Sequence, residues 1–139
     1  MAIVQTQTTS FKAELYQGVH DLLTDDIYIA LYNGNANLDA STTEYSTANE
    51  ITGTGYTAGG QQLLGATVNT SGTTAYVNFS SVQWNPAAFT TRCALIYNAS
   101  KGNKSVAVLD FGSDKTATSA FTITMPANTP TAALIRSSY

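Results

Sequence analysis

Charge is what this chain has least of. Asp, Glu, Lys and Arg make up 11% of its 139 residues, where a soluble domain ordinarily carries about 25%. It holds one histidine and one cysteine, so groups that shuttle protons or ligate metals are few. A lone Cys93 closes no intrachain disulfide, and the chain is expected to be made in a reducing cytoplasm and held by its core. The six cations, Lys12, Arg92, Lys101, Lys104, Lys115 and Arg136, are scattered and form no basic run. Duplex binding needs several phosphate contacts from one basic face, so no nucleic-acid partner is expected. No apolar run has the length of a membrane span, and no membrane partner is expected either. The opening Met1–Ser10 lacks the basic region and apolar core of a signal peptide.

What replaces charge is hydroxyl. There are 22 Thr and 12 Ser. A surface of Thr, Ser, Asn and Tyr can be desolvated without taking an ion out of water, which suits contact with other proteins. The hydrophobic fraction, 43%, is that of a globular domain. A chain of this length forms one domain that buries roughly two-thirds of its unfolded surface.

One helix is expected near the N-terminus. Ser10 stands at the N-cap position, and Phe11, Leu15, Val19 and Leu22 follow on one apolar stripe, with Thr24-Asp25-Asp26 as the stop. Strands are expected over 27–32, 62–69, 74–79, 82–84, 89–98, 105–111, 120–125 and 132–136. In the first of these, Ile27, Ile29 and Leu31 face one way and Tyr28, Ala30 and Tyr32 the other. Ser71-Gly72 and Lys101–Lys104 supply hairpin turns. The fold class that follows is mainly β: an antiparallel β-sandwich, a jelly roll being one form of it, with one N-terminal α-helix. Residues 1–9 read as a flexible arm and residues 10–139 as the single domain. The polar connection 33–60 is long for a structureless loop: either it contains a short element of its own or it is an interaction loop.

Candidate chemistry is thin. His20 lies off the apolar stripe and is expected to be exposed or interfacial. Cys93 is expected in the core. Asp25 and Asp26 lack the spacing of a calcium loop. Asp110-Phe-Gly112 spells the kinase metal-binding triplet without the other kinase motifs, and Asp110 is expected to end a strand. Asn69, Asn78, Asn98 and Asn103 head Asn-x-Ser/Thr triplets at a frequency near chance. No catalytic residue, metal or cofactor is expected, and the chain is not expected to be an enzyme. Tyrosine joins contact area to a polar handle. Tyr45, Glu50 and Tyr56, in the long connection, are the expected partner contacts, and Tyr56→Ala is expected to weaken binding without harming the fold.

Several stretches resemble a family of small tailed-bacteriophage virion proteins. They are Thr42-Thr-Glu-Tyr45, Asn49-Glu-Ile-Thr-Gly-Thr-Gly-Tyr-Thr-Ala-Gly-Gly60, Cys93-Ala-Leu-Ile-Tyr-Asn98 and Lys104-Ser-Val-Ala-Val-Leu-Asp-Phe-Gly-Ser-Asp-Lys115. The opening helix, with His20, Asp21 and Leu22, and the following Ile27-Tyr-Ile-Ala-Leu-Tyr32 fit the same pattern. The resemblance spans Ser10 to Arg136; Cys93 departs from the small residue the pattern has there. It implies a virion structural protein without a catalytic motif. A capsid decoration or cement protein that binds and stabilises the head shell is the first expectation, with the major capsid protein or other virion proteins as partners and a homodimer or homotrimer as its state. A tail, neck or host-recognition fibre component is the alternative.

Overall fold

The computed structural model describes residues 3–137. The fold is mainly β and antiparallel with one helix, in a sandwich-like arrangement. The strands are β1 (Thr6–Gln7), β2 (Ile27–Tyr32), β3 (Gln61–Gln62), β4 (Thr67–Ser71), β5 (Thr74–Asn78), β6 (Val82–Trp84), β7 (Phe89–Asn98), β8 (Lys104–Ala117), β9 (Phe121–Ile123) and β10 (Ile135–Ser137). They divide into a five-stranded sheet of order β1-β8-β7-β2-β3, a three-stranded sheet β10-β5-β4 and a two-stranded sheet β6-β9. A jelly roll would divide eight strands between two sheets.

The five-stranded sheet is buried on both faces, and the alternation of β2 shows how. Ile27, Ile29 and Leu31 enter the main core with Phe11, Trp84, Phe89, Ile96 and Val106. Ala30 and Tyr32 enter a second cluster with Leu95, Tyr97 and Val108. That second face has no sheet over it. The long connection covers it, through Ala36 and Leu38, with Ile3 and Tyr45 packed against the cluster.

The connection is stitched down by backbone pairing. Glu44 bridges Lys104, Glu50 bridges Tyr32, and Thr54 bridges Ala88. Ile51 N–H donates to the Leu31 carbonyl at 3.1 Å and Ser105 N–H to the Thr43 carbonyl at 3.0 Å. These partners answer where the backbone groups of so long a segment go.

The expected N-terminal arm is corrected from Ile3 onward, Met1 and Ala2 lying outside the described residues. Ile3 bridges Leu38 in parallel, and β1 pairs Thr6 with Val108 and Gln7 with Ala107. Thr8 is fully buried, shares a 2.9 Å hydrogen bond with the Ser105 hydroxyl, and caps the helix by accepting from Phe11 N–H.

The helix α1 is Thr9–Tyr16, capped by Thr8 and not Ser10, and shorter than its apolar spacing predicts. Gly18, at φ +71°, ends it. Gly18 N–H reaches the Leu15 carbonyl and Val19 N–H the Glu14 carbonyl, the paired bonds of a left-handed C-terminal cap. Further boundaries moved: the expected 120–125 and 132–136 shorten to β9 and β10. The run 62–69 is broken into β3 and β4. β8 does not end at Asp110: Phe111–Asp114 stand opposite the single residue Arg92, an enlarged bulge, before pairing resumes at Lys115.

Candidate functional site

The chemistry-bearing residues gather in two places. The first is a carboxylate ringed by tyrosines. Tyr45 hydroxyl donates to Glu50 Oε1 at 2.6 Å; Tyr56 hydroxyl and Gly59 N–H donate to Oε2, the latter at 2.8 Å. Tyr97 hydroxyl donates to the Gly59 carbonyl at 2.6 Å and Tyr32 hydroxyl to the Ser46 carbonyl at 2.7 Å. Leu31 N–H, in β2, donates to the Tyr56 hydroxyl at 3.0 Å. Tyr45 and Tyr28 both stack with Tyr97, at 4.6 Å and 5.9 Å between ring centres.

The structure thus brings Tyr45, Glu50 and Tyr56 together, but as an internal clasp. Their polar atoms are spent on one another and on the backbone. Tyr56 also lies against Trp84 and Phe89. The expectation that Tyr56→Ala leaves the fold intact is corrected: the partly buried ring packs against the core. Tyr32, Tyr97 and Gly59 complete the clasp and were not singled out from sequence. The alternate residues of β2 and β7 that face away from the main core include three tyrosines, Tyr28, Tyr32 and Tyr97, and these are the signal of a second buried face.

The clasp holds its tyrosines neutral. Burial, then the Glu50 charge, pushes Tyr97 up to about 12. Tyr32, Tyr45 and Tyr56 are also raised, in each case by burial first and Glu50 next. An unfolded tyrosine ionises near about pH 10. Stability from these groups is therefore complete below that value and is lost as pH rises toward the folded values. Each tyrosine that ionises only on unfolding contributes a slope of about 1.4 kcal/mol per pH unit. Guanidinium unfolding midpoints should fall steeply from about pH 10 to about pH 11.5. A flat midpoint over that range, or tyrosinate absorbance rising in the folded state, would contradict the clasp.

The second gathering surrounds His20. The sequence places it on the exposed side of a helix; in fact it follows the Gly18 turn and points inward, its side chain fully buried. Asn98 Oδ1 accepts from Ser100 N–H, which directs its Nδ2 to His20 Nδ1 at 2.9 Å and Asp25 Oδ2 at 2.8 Å. His20 Nδ1 is thereby an acceptor, and Nε2–H donates to Glu14 Oε1 at 2.8 Å. Phe11 lies 5.0 Å from the imidazole, ring centre to ring centre. Burial alone would raise Asp25, but hydrogen bonds from Asn98 and Asp21 N–H and the Lys101 ammonium outweigh it and hold the carboxyl below its ordinary value. The group locks the end of α1 to the end of β7, and every buried polar atom in it is matched.

Cys93 is buried, and its thiol is pushed up to about 11 by burial first, with the Asp110 charge opposing that of Arg92. A protonated, enclosed thiol is a poor nucleophile. Asp110 pairs with Arg92 and accepts from Gly112 N–H at 2.8 Å, which fixes the bulge. These two contacts hold it below the usual carboxylate range, the Gly112 bond first. Among the described residues, no group of three or more His, Cys, Asp or Glu side chains is placed to hold a metal ion. Nor is any helix among them long and apolar enough to cross a membrane. No family model, curated protein or solved structure matches the chain.

Proposed function

We propose that the chain is a bacteriophage virion structural protein, a capsid decoration or cement protein bound to the assembled head shell. The observation that carries this reading is its surface. Tyr16, Leu64 and Leu23 stand 95%, 64% and 56% exposed. The outer strand β4, Thr-Val-Asn-Thr-Ser, is open along one edge and carries no charge. Monomeric proteins guard such edges with charged side chains; here Val68, on β4 itself, adds exposed apolar area to an uncharged edge, as on a surface made to be covered. The sequence resemblance from Ser10 to Arg136 supports the same setting. The clasp and the His20 lock fix the connecting segments, so binding would order little further chain. On this reading, assembly places it in the virion, as a symmetric oligomer facing the major capsid protein.

A tail, neck or fibre role is the second reading, favoured by the half-exposed faces of Tyr28 and Tyr45, on which a sugar ring could stack. Copy number separates the two. Quantitative mass spectrometry of purified particles should find the chain at hundreds of copies, as shell geometry requires. A few dozen copies or fewer would place it in the tail or neck. Particles lacking the chain should also lose their contents at lower temperature; equal heat resistance with and without it would refute the cement role.

A further inference from the structure

An open groove of about 1030 Å3 runs where the terminal strands of the three sheets converge. Residues of β1, β9 and β10 line it. Its floor is apolar: Leu109, Phe111, Phe121, Met125 and Leu134 are all only partly buried. A second hollow of about 590 Å3 shares Thr6, Gln7 and Arg136 with the first and leads to Lys12, Leu15 and Tyr16. The two form one continuous surface ending at Tyr16, the most exposed of the large hydrophobic side chains among the described residues.

Charge along this surface is one-sided. Lys12, Lys115 and Arg136 line it, three of the six cations of the chain, against Asp114 alone of its nine acids. None of the three cations forms an ion pair among the described residues. In a chain of net charge −3 this is a local inversion.

We infer that the groove docks an extended segment of a different polypeptide, in which apolar and acidic residues alternate. An extended chain presents successive side chains to opposite sides. Laid along an edge strand, it would send its apolar residues to the Phe111–Phe121 floor and its carboxylates to the cationic rim, while backbone bonds to the edge give affinity. A nucleic acid would want more cations and no apolar floor. A second copy of this chain does not supply the segment from a sheet edge: its own outer strands β1, β3, β4, β6, β9 and β10 contain no acid. The inference goes beyond the virion reading and does not depend on it.

The test uses the purified full chain and two fluorescent peptides of about eight residues. One alternates Val or Leu with Glu; the other carries Lys in place of each Glu. Anisotropy should show the acidic peptide binding and the Lys peptide at least about tenfold weaker. Lys115→Glu with Arg136→Glu, both at exposed positions, should weaken the acidic peptide about tenfold or more and strengthen the Lys peptide, with the fold retained although the Arg136 bond to the Thr131 carbonyl is lost. Tyr16→Ala should weaken the acidic peptide without favouring the other. Equal binding of the two peptides, no binding of either, or indifference to the charge reversal would overturn the inference. So would a dimer in sedimentation that the charge reversal dissolves, since the occupant would then be a second copy.

Discussion

Tyr56→Ala is expected to lower the stability of the fold by about 4 kcal/mol, a large fraction of the roughly 5–15 kcal/mol that holds a domain together. Two losses add. Removing a buried aromatic side chain costs about 3–5 kcal/mol, and Tyr56, half-buried against Trp84 and Phe89, belongs at the low end. The hydroxyl also serves two partners, accepting from Leu31 N–H and donating to Glu50. Leaving a buried N–H without an acceptor costs about 1–3 kcal/mol. Tyr56→Phe keeps the ring and should lose only that second part. Denaturant unfolding of the three proteins, compared at one pH near neutrality, reads both. A loss below about 1 kcal/mol for Tyr56→Ala would mean that the connection is held elsewhere. A particle-binding defect in Tyr56→Ala would report a loosened loop, whereas Tyr56→Phe would leave the outer surface as it is.

The strands were legible because their signals were local. The expected spans 27–32, 82–84 and 89–98 coincide with β2, β6 and β7, each a run of β-branched and aromatic residues between breakers. The Ser71-Gly72 turn joins β4 to β5 as its positive-φ preference requires. What failed was decided either by distant chain or by one breaker inside an apolar pattern. His20 looks exposed on a helical wheel, yet the wheel stops applying at Gly18. The apolar spacing of Val19 and Leu22 continued the helical pattern past the residue that ends it. Thr6 and Gln7 carry no strand pattern of their own; pairing with Val108 and Ala107 makes them a strand. Tyr45, Glu50 and Tyr56 share one segment, and the structure joins them through the Glu50 carboxylate, a contact that no sequence spacing announces. A polar loop reads as exposed in sequence, and only the bare second face of the five-stranded sheet reveals what it must cover. The groove was invisible for the same reason, since its floor comes from β8, β9 and the segment before β10.

Gly60→Ala should be nearly as damaging as Tyr56→Ala, and its cause can be isolated. Gly60 sits at φ +80°, where the long connection passes under β2 and turns into β3. A Cβ there would overlap the Ile29 carbonyl oxygen and lie 2.6 Å from the carbonyl carbon and 2.8 Å from Ala30 Cα. All three are backbone atoms of a strand paired along its length to β7, so none can step aside. The left-handed conformation costs a residue with a Cβ about 1–2 kcal/mol. Forcing extra volume into packed backbone adds about 1–3 kcal/mol or more. A total of about 3–4 kcal/mol follows. Gly72→Ala is the control: φ is +58°, but nothing lies within 4 Å of the new Cβ. It should lose the conformational part alone, and the difference between the two variants measures the clash. The clash has a second consequence. The Gly59 carbonyl holds the Tyr97 hydroxyl, and Gly59 N–H holds Glu50. Displacing Gly60 must pull its neighbour from both. Folded Gly60→Ala should therefore release tyrosine protons closer to about pH 10 than the unaltered chain, while Gly72→Ala, remote from the clasp on the β4–β5 hairpin, should titrate unchanged. Equal stability losses in the two variants, with identical alkaline titrations, would show that the close approach of this turn to β2 does not hold the clasp together.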